Sequence, residues 1–254
     1  MKTEFRRVPA LDKCFTILDF FARSKQALGI SEISKKLKIN KSTVFNIVHT
    51  LSDLQVLEGG PDGKFRFGTR LYTLGRAAGD GADLIRTVHP YLEEIGKRTH
   101  VSVFFGIRSG LRTVILDKVD TDYDLKISSE IGQIIPLFAG AAGMVLVSQL
   151  PDSEIDAVLR ENPLKKFTPR TCIDPKAYKE AVQKVRVEGI ALDREEYLEG
   201  IIALAVPIKT HRKNLQAALW AVGLKWQIPD LMIAEISELL KNAARDIEVR
   251  FSPV

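Results

Sequence analysis

The chain has 254 residues, enough for one large domain or two small ones. Its apolar share of 45% and charged share of 27% suit a globular protein and exclude a disordered or collagenous chain, and two cysteines, Cys14 and Cys172, exclude a disulfide scaffold. The formal charge of +5 is unevenly spread: residues 1–75 hold 13 Lys and Arg against 7 Asp and Glu, while residues 76–254 hold 24 against 25. A basic head on a neutral body points to a nucleic-acid-binding unit, against the alternative of chance clustering on a solvated surface. The most nearly unbroken apolar run, residues 138–147, is about half the length of a membrane helix. The N-terminal MKTEFRRVPALDKC has no apolar core before a cleavage site, so a soluble cytoplasmic protein is expected.

Along the chain, Leu11, Cys14, Phe15, Leu18 and Phe21 recur at helical spacing. They predict a first helix with one buried stripe, in which Cys14 is a core thiol. Gly29 breaks the pattern, and Ser31 is placed to cap a second helix that turns Ile33 and Leu37 inward. Asn40 caps a third, with Val44, Ile47, Val48, Leu51 and Leu54 on its inner face. Short β-type runs at 56–58 and 64–67 flank GGPDG, a hairpin signal. Helix, helix, turn, helix, hairpin is the order of a winged helix-turn-helix, assigned here to residues 1–75.

The small residues at 77–81 mark a boundary within a linker helix region, 76–82. Residues 83–254 are expected to form a sensor-like domain of α+β or α/β class around one antiparallel sheet. A helix through Leu84, Val88, Leu92 and Ile95 leads to strands near 101–107, 113–118 and 125–128, then helices at 141–149 and 153–159. Asp174-Pro175 starts a helix that Gly189 stops. Strands at 190–193, 202–208 and 215–224 follow, and a last helix aligns Ile233, Ile236, Leu240, Ala244 and Ile247.

The third helix carries the most chemistry. Its core stripe leaves Lys41, Ser42, Thr43, Phe45, Asn46, His49 and Thr50 outward. Short polar side chains at the start of a groove-inserted helix reach base edges, Asn pairs bidentately with adenine, and Lys41 adds a phosphate contact. Lys35, Lys36 and Lys38 would lie over the backbone. In the hairpin, alternation sets Lys64 and Arg66 toward phosphate or the minor groove, with Phe65 and Phe67 anchoring the wing. The competing reading is a winged helix used for protein contacts.

These residues resemble a known family. ISEISKKLKINKSTVFNIVHTLSDLQVLE (30–58) and KFRFGTRLYTLG (64–75) are similar to the DNA-binding domain of the IclR family of bacterial transcriptional regulators. KRTHVSVFFGIRSGLRTVILDKVD, IGQIIPLFAGAAGMVLVSQLPDSEI and GIALDREEYLEGIIALAVPI resemble its effector-binding domain in order and spacing. The resemblance covers nearly all of residues 10–250, most specifically at KSTV, from IGQIIPL to AAG, and at DREE followed by Gly200. It implies a homodimer or tetramer that binds double-stranded operator DNA, a GAF-like sensor domain, and a small-molecule effector that is an organic acid or aromatic metabolite. The departures are informative. Asn46 stands where many members carry Arg, and Phe138 and Met144 replace the usual His and Lys. Members that bind small carboxylates line their pocket with one Cys and two Ser; the matching positions are Ala203, Trp220 and Val222. Asp193 is kept, and Ile127 and the backbone at Ala141 and Ala142 match further lining positions. The implied pocket is more apolar and bulkier than one for glyoxylate or pyruvate.

Each feature has a plainer alternative. Trp220 fits a core-filling role as well as a ligand-facing one. Asp193, Glu195, Glu196 and Glu199 resemble an acid–base cluster, but three of the four are expected to be solvated. His89 and Glu93 are four apart on a helix, a metal-pair spacing that nothing nearby completes, so no metal or cofactor is expected. Phosphate-loop, nucleophile-elbow and zincin motifs are absent. The expected function is a sequence-specific regulator controlled by an aromatic or largely apolar metabolite. Two alternatives stay open: an enzyme of small-molecule metabolism with an accessory winged helix, and a constitutive DNA-binding protein with a closed sensor pocket.

Overall fold

A computed structural model describes residues 6–24, 26–77, 80–209 and 215–250, and the chain divides into units of residues 1–82 and 83–254. The sequence boundary at 77–81 falls partly on residues 78–79, outside the described residues.

In the first unit, α1 (Pro9–Ser24), α2 (Ile30–Leu37) and α3 (Lys41–Asp53) pack with a hairpin of β1 (Leu57–Gly59) and β2 (Phe65–Phe67), followed by α4 (Thr69–Ala77). The buried stripe of α1 is not the expected one. Ile17 and Phe21 are buried with Cys14, Leu18 and Phe20 partly so, whereas Leu11 and Phe15 are 58% and 64% exposed. Apart from Cys14, the residues of α1 that meet the helix and wing core lie in its C-terminal half, and Leu11 and Phe15 are not among them. Ser31 does not cap α2: Gly29 holds the cap position, with no side-chain hydrogen bond. Asn40 does cap α3, accepting from the N–H of Ser42 at 3.0 Å and from its hydroxyl at 2.9 Å. Val44, Val48 and Leu51 form the inner face of α3 with Ile47 at its edge, but Leu54 lies past the helix end and is exposed. The wing pairs Leu57 with Phe67, Glu58 with Arg66 and Gly59 with Phe65. Phe65 is buried, and its backbone bonds to Leu28 in both directions at 2.9 Å. Phe67, expected to anchor equally, is 40% exposed, although its ring lies 5.8 Å from that of Phe21.

The second unit is built on a sheet whose strands alternate apolar residues on both faces, the pattern of a sheet covered on each side. Strands β3 (Ser102–Ser109), β4 (Arg112–Val119), β5 (Ile134–Pro136), β6 (Ala191–Arg194), β7 (Ile201–Ile208) and β8 (Ala217–Leu224) join antiparallel in the order β5-β4-β3-β8-β7-β6. On one face Val103, Phe105, Leu204, Val206, Leu219 and Ala221 pack under α5 (Asp80–Thr99) and α9 (Asp230–Arg250). On the other, Phe104, Ala203, Ala205, Ala218, Trp220 and Val222 pack under α6 (Gly140–Ser148) and α8 (Pro175–Glu188), with α7 (Asp152–Glu161) beside them. The α+β architecture expected from the sequence is present. One strand is misplaced: residues 125–128 form no strand, and the edge strand beside β4 is β5. The apolar residues at 125 and 127 alternate as a strand would, but residues 120–130 are tied down by side chains instead. Lys118 Nζ donates to Asp120 Oδ2 at 2.9 Å and to Ser128 Oγ at 2.8 Å. Asp174 caps α8 through the N–H of Ala177 (2.7 Å), and Gly189 ends it with φ +71°, both as expected. Among the described residues no helix is long and apolar enough to cross a membrane.

Helix α6 is apolar all round because it is sandwiched between sheet and α8. It also presses on the segment before it. A Cβ on Gly143 would lie 1.8 Å from the carbonyl oxygen of Leu137, so no side chain fits without moving backbone. Gly143→Ala should therefore cost about 1–3 kcal/mol or more of second-unit stability, as overpacking does. Denaturant unfolding by circular dichroism reads this, and an unchanged midpoint would contradict the close packing described.

Candidate functional site

Two sites emerge, one in each unit. In the first, α2 and α3 form the helix-turn-helix. Lys41, Ser42, Phe45, Asn46 and His49 are exposed on α3, and Thr43 is half-buried. Three of these side chains are engaged within the unit. The Ser42 hydroxyl bonds to Asn40, and the His49 ring lies 4.2 Å from Phe45 and 5.5 Å, edge-on, from Phe65. Lys64 and Arg66 are exposed on the wing, as are Lys35, Lys36 and Lys38 around α2.

The second site is a cavity of about 80 Å³ between sheet and α6. All seven residues matched from the sequence line it: Ile127, Ala141, Ala142, Asp193, Ala203, Trp220 and Val222. Strand register explains four of them. Asp193 pairs with Ala203 and Ala203 with Val222, forming one row; Ala205 pairs with Trp220 and Trp220 with Phe104, forming the next. Trp220 is both wall and core. It is 4% exposed, stacks on Phe104 with ring centroids 5.7 Å apart and planes at 17°, and faces the cavity. Gly106 permits this, since a Cβ there would come within 2.9 Å of the indole.

Asp193 carries the polarity of the site. It is buried, and its Oδ1 accepts the N–H of Glu196 at 2.6 Å. Its Oδ2 lies so close to the start of α6 that a Cβ on Gly140 would be 2.7 Å away. Gly140 has φ +66°, a conformation open to glycine. Ala139, the N-cap of α6, offers no side-chain cap bond, and the first residues of the helix, Gly140, Ala141 and Ala142, line the cavity. Burial pushes the Asp193 carboxyl up to about 6, against the pull of the Glu196 and Tyr197 N–H groups and with a smaller push from Glu195.

The neighbouring acids are less solvated than expected. Only Glu199 is exposed. Glu195 is ion-paired with Arg170 and Lys225, and the Lys225 bond, then the Gly200 N–H, hold its carboxyl below the usual range. Burial raises Glu196. His89 spends Nδ1 on Asp117 at 2.8 Å, while Glu93 lies 3.9 Å from Nε2. Sequence matching missed Ser129, Tyr197, Leu198 and Ile201, which also line the cavity. The register extending from Ala203 would have found Ile201, which shares its face of β7; nothing in the pattern signals Ser129. Phe138 and Met144 pack beside the core rather than lining the cavity.

Residues 10–61 match the family model of the IclR helix-turn-helix domain, and residues 77–249 match that of the bacterial transcriptional regulator IclR C-terminal domain. The chain belongs to the IclR family. Among IclR-type relatives, the HTH-type transcriptional regulator XynR of Escherichia coli K12 is 30% identical over 237 residues, covering 93% of this chain and 94% of that protein. KdgR of the same organism is 28% identical over 244 residues, covering 96% and 92%. The solved IclR of Thermotoga maritima is 27% identical with a TM-score of 0.73, covering 96% of this chain and 99% of that one. An IclR homologue from Microbacterium hydrocarbonoxydans, complexed with 4-hydroxybenzoate, shares the fold at a TM-score of 0.81 and 23% identity, covering 95% and 98%. This IclR-family protein is a DNA-binding transcriptional regulator, and its named relatives are regulators rather than enzymes.

The raised Asp193 sets a pH dependence with a definite sign. Its folded value of about 6 exceeds the ordinary 3.8, so the folded protein binds the proton more tightly than the unfolded chain. Asp193 therefore favours folding most below pH 4, and stability falls as pH rises from about 4 to 6, by about 3 kcal/mol in all. Other acids contribute too, so the readout is the difference from Asp193→Asn in denaturant midpoints across pH 4–8. Parallel curves for the two proteins would show that Asp193 is not desolvated as described.

Proposed function

We propose that this regulator binds a two-fold operator as a homo-oligomer, in the cytoplasm, and is switched by an aromatic or largely apolar metabolite held in the second unit. Lys41, Ser42, Thr43, Phe45, Asn46 and His49 face the major groove, and Lys64 and Arg66 contact phosphate. A dimer at least is needed, because the heads must meet two half-sites about one helical turn apart or a multiple of it. The effector favours one arrangement of the paired heads and so changes operator affinity.

One observation carries the effector assignment: Ala203, Trp220 and Val222 give the cavity apolar walls where small-carboxylate binders have a Cys and two Ser. A small carboxylate desolvated there finds no such partners at positions 203, 220 and 222. A ring gains from the same walls and stacks on Trp220. Its polar end donates a hydroxyl to Asp193 or is held by N–H groups near Ala141 and Ala142. The cavity, at about 80 Å³, is smaller than the roughly 150 Å³ apolar cavity known to take up benzene. Entry of a ring thus needs the side chains over it to yield, and Ile127 and Ser129, on a segment without regular structure, are best placed to do so. An open cavity beside Asp193 speaks against the closed-sensor alternative.

A thermal-shift panel tests the effector. 4-Hydroxybenzoate and related ring compounds at about a hundredfold excess over Kd should raise the midpoint by about 5–10 °C. Stabilisation by glyoxylate or pyruvate and by no aromatic compound would reverse the assignment. On the DNA side, Lys64→Ala or Arg66→Ala should weaken binding to all sequences and flatten the salt dependence by about one unit of log–log slope per lost phosphate contact. Asn46→Ala should cost about 1–3 kcal/mol at one operator position and relax preference there. Equal losses on every sequence for all three would remove the base-reading role of Asn46.

A further inference from the structure

Helix α3 sends one large apolar side chain outward. Its inner face is Val44, Val48 and Leu51, all buried, while Ser42, Phe45, Asn46 and His49 follow the i, i+3, i+4, i+7 spacing of a second, exposed face. Phe45 is 50% exposed and takes no part in the core of its unit. A single exposed ring is ordinary on a protein surface, so exposure alone says nothing. The arrangement around this ring says more. Phe65, 7% exposed and part of the core, meets the His49 ring edge-on at 5.5 Å, and His49 meets Phe45 at 4.2 Å. Three rings thus rise as a column from the core, through the wing strand, to the outer face of α3, and hold the outermost one beside Asn46. An aromatic ring fixed in place before binding loses little freedom on contact.

In the major groove, the one base-edge group that an apolar side chain recognises is the C5-methyl of thymine. We propose that Phe45 reads a thymine methyl in each operator half-site, and that His49 is a positioning residue that fixes the Phe45 ring rather than a base-contacting one. The inference deepens the reading of α3 as the groove helix and rests on it. It assigns the operator a chemical feature: a thymine methyl next to the base pair read by Asn46.

The experiment separates the methyl from everything else. The full-length protein selects duplexes from a randomised library, and the enriched duplex is resynthesised with each thymine of the half-sites replaced by deoxyuridine, one symmetric pair at a time. Removing one buried methyl is worth about fourfold in affinity per half-site, so about fifteenfold for the pair. One thymine pair should show this loss with the wild-type protein and none with Phe45→Ala, while the salt slope of Phe45→Ala on non-specific DNA stays unchanged. His49→Ala should reduce the thymine–uracil discrimination and His49→Phe, which keeps a ring in the column, should retain it. Indifference of the wild type to every replacement, an enriched half-site without thymine, or full discrimination by Phe45→Ala would overturn the proposal. Equal discrimination by His49→Ala and wild type would overturn the positioning role. If the library yields no enriched sequence at all, the groove-helix reading fails first and the proposal with it.

Discussion

The seat of α6 in the second unit depends on two places where no Cβ fits. At Gly143 the carbonyl oxygen of Leu137 would lie 1.8 Å from an added carbon, and at Gly140 the Asp193 carboxylate would lie 2.7 Å from one. These two approaches seat the start of α6 against both the segment that precedes it and the end of β6. The cavity exists because the seat is that tight: its floor is the sheet, and its polar end is a buried carboxyl facing a helix start. The raised proton affinity of Asp193 follows from the same crowding, since the packing that brings Gly140 to the carboxylate also keeps water from it.

Much of this was legible in the sequence because it follows from periodicity and from chain punctuation. The family resemblance, matched by spacing from Asp193, puts Ala203, Trp220 and Val222 at the pocket, and alternation within β8 keeps Trp220 and Val222 on one face. Asn40, Asp174, Pro175 and Gly189 mark helix ends by chemistry that acts locally, and all four do so in the folded chain. The failures share a cause. Leu11 and Phe15 have the right spacing for burial, but whether a partner is present is a tertiary fact. Residues 125–128 read as a strand, yet the Lys118, Asp120 and Ser128 side chains tie that stretch down as a loop. The same loop brings Ser129 to the cavity, and no pattern in the chain foretells it.

The first unit shows how a wing and a recognition helix are made into one surface. Phe65 is a core residue of the wing, and through the His49 ring it also supports the outer side of α3. His49 follows the spacing of a groove-facing residue, and spacing cannot tell a side chain aimed at DNA from one aimed at its own neighbours. The ring contacts give His49 neighbours of its own within the unit.

The strands of the second unit carry separate duties on their two sides. Along β8, Trp220 and Val222 shape the cavity while Leu219 and Ala221 pack beneath α5 and α9. Because the duties alternate residue by residue, the side chains at 203, 220 and 222 lie on the cavity side and not in the layer beneath α5 and α9. On the proposed reading of the cavity as the effector site, chemical taste can drift at a handful of alternate positions while the opposite layer stays as it is.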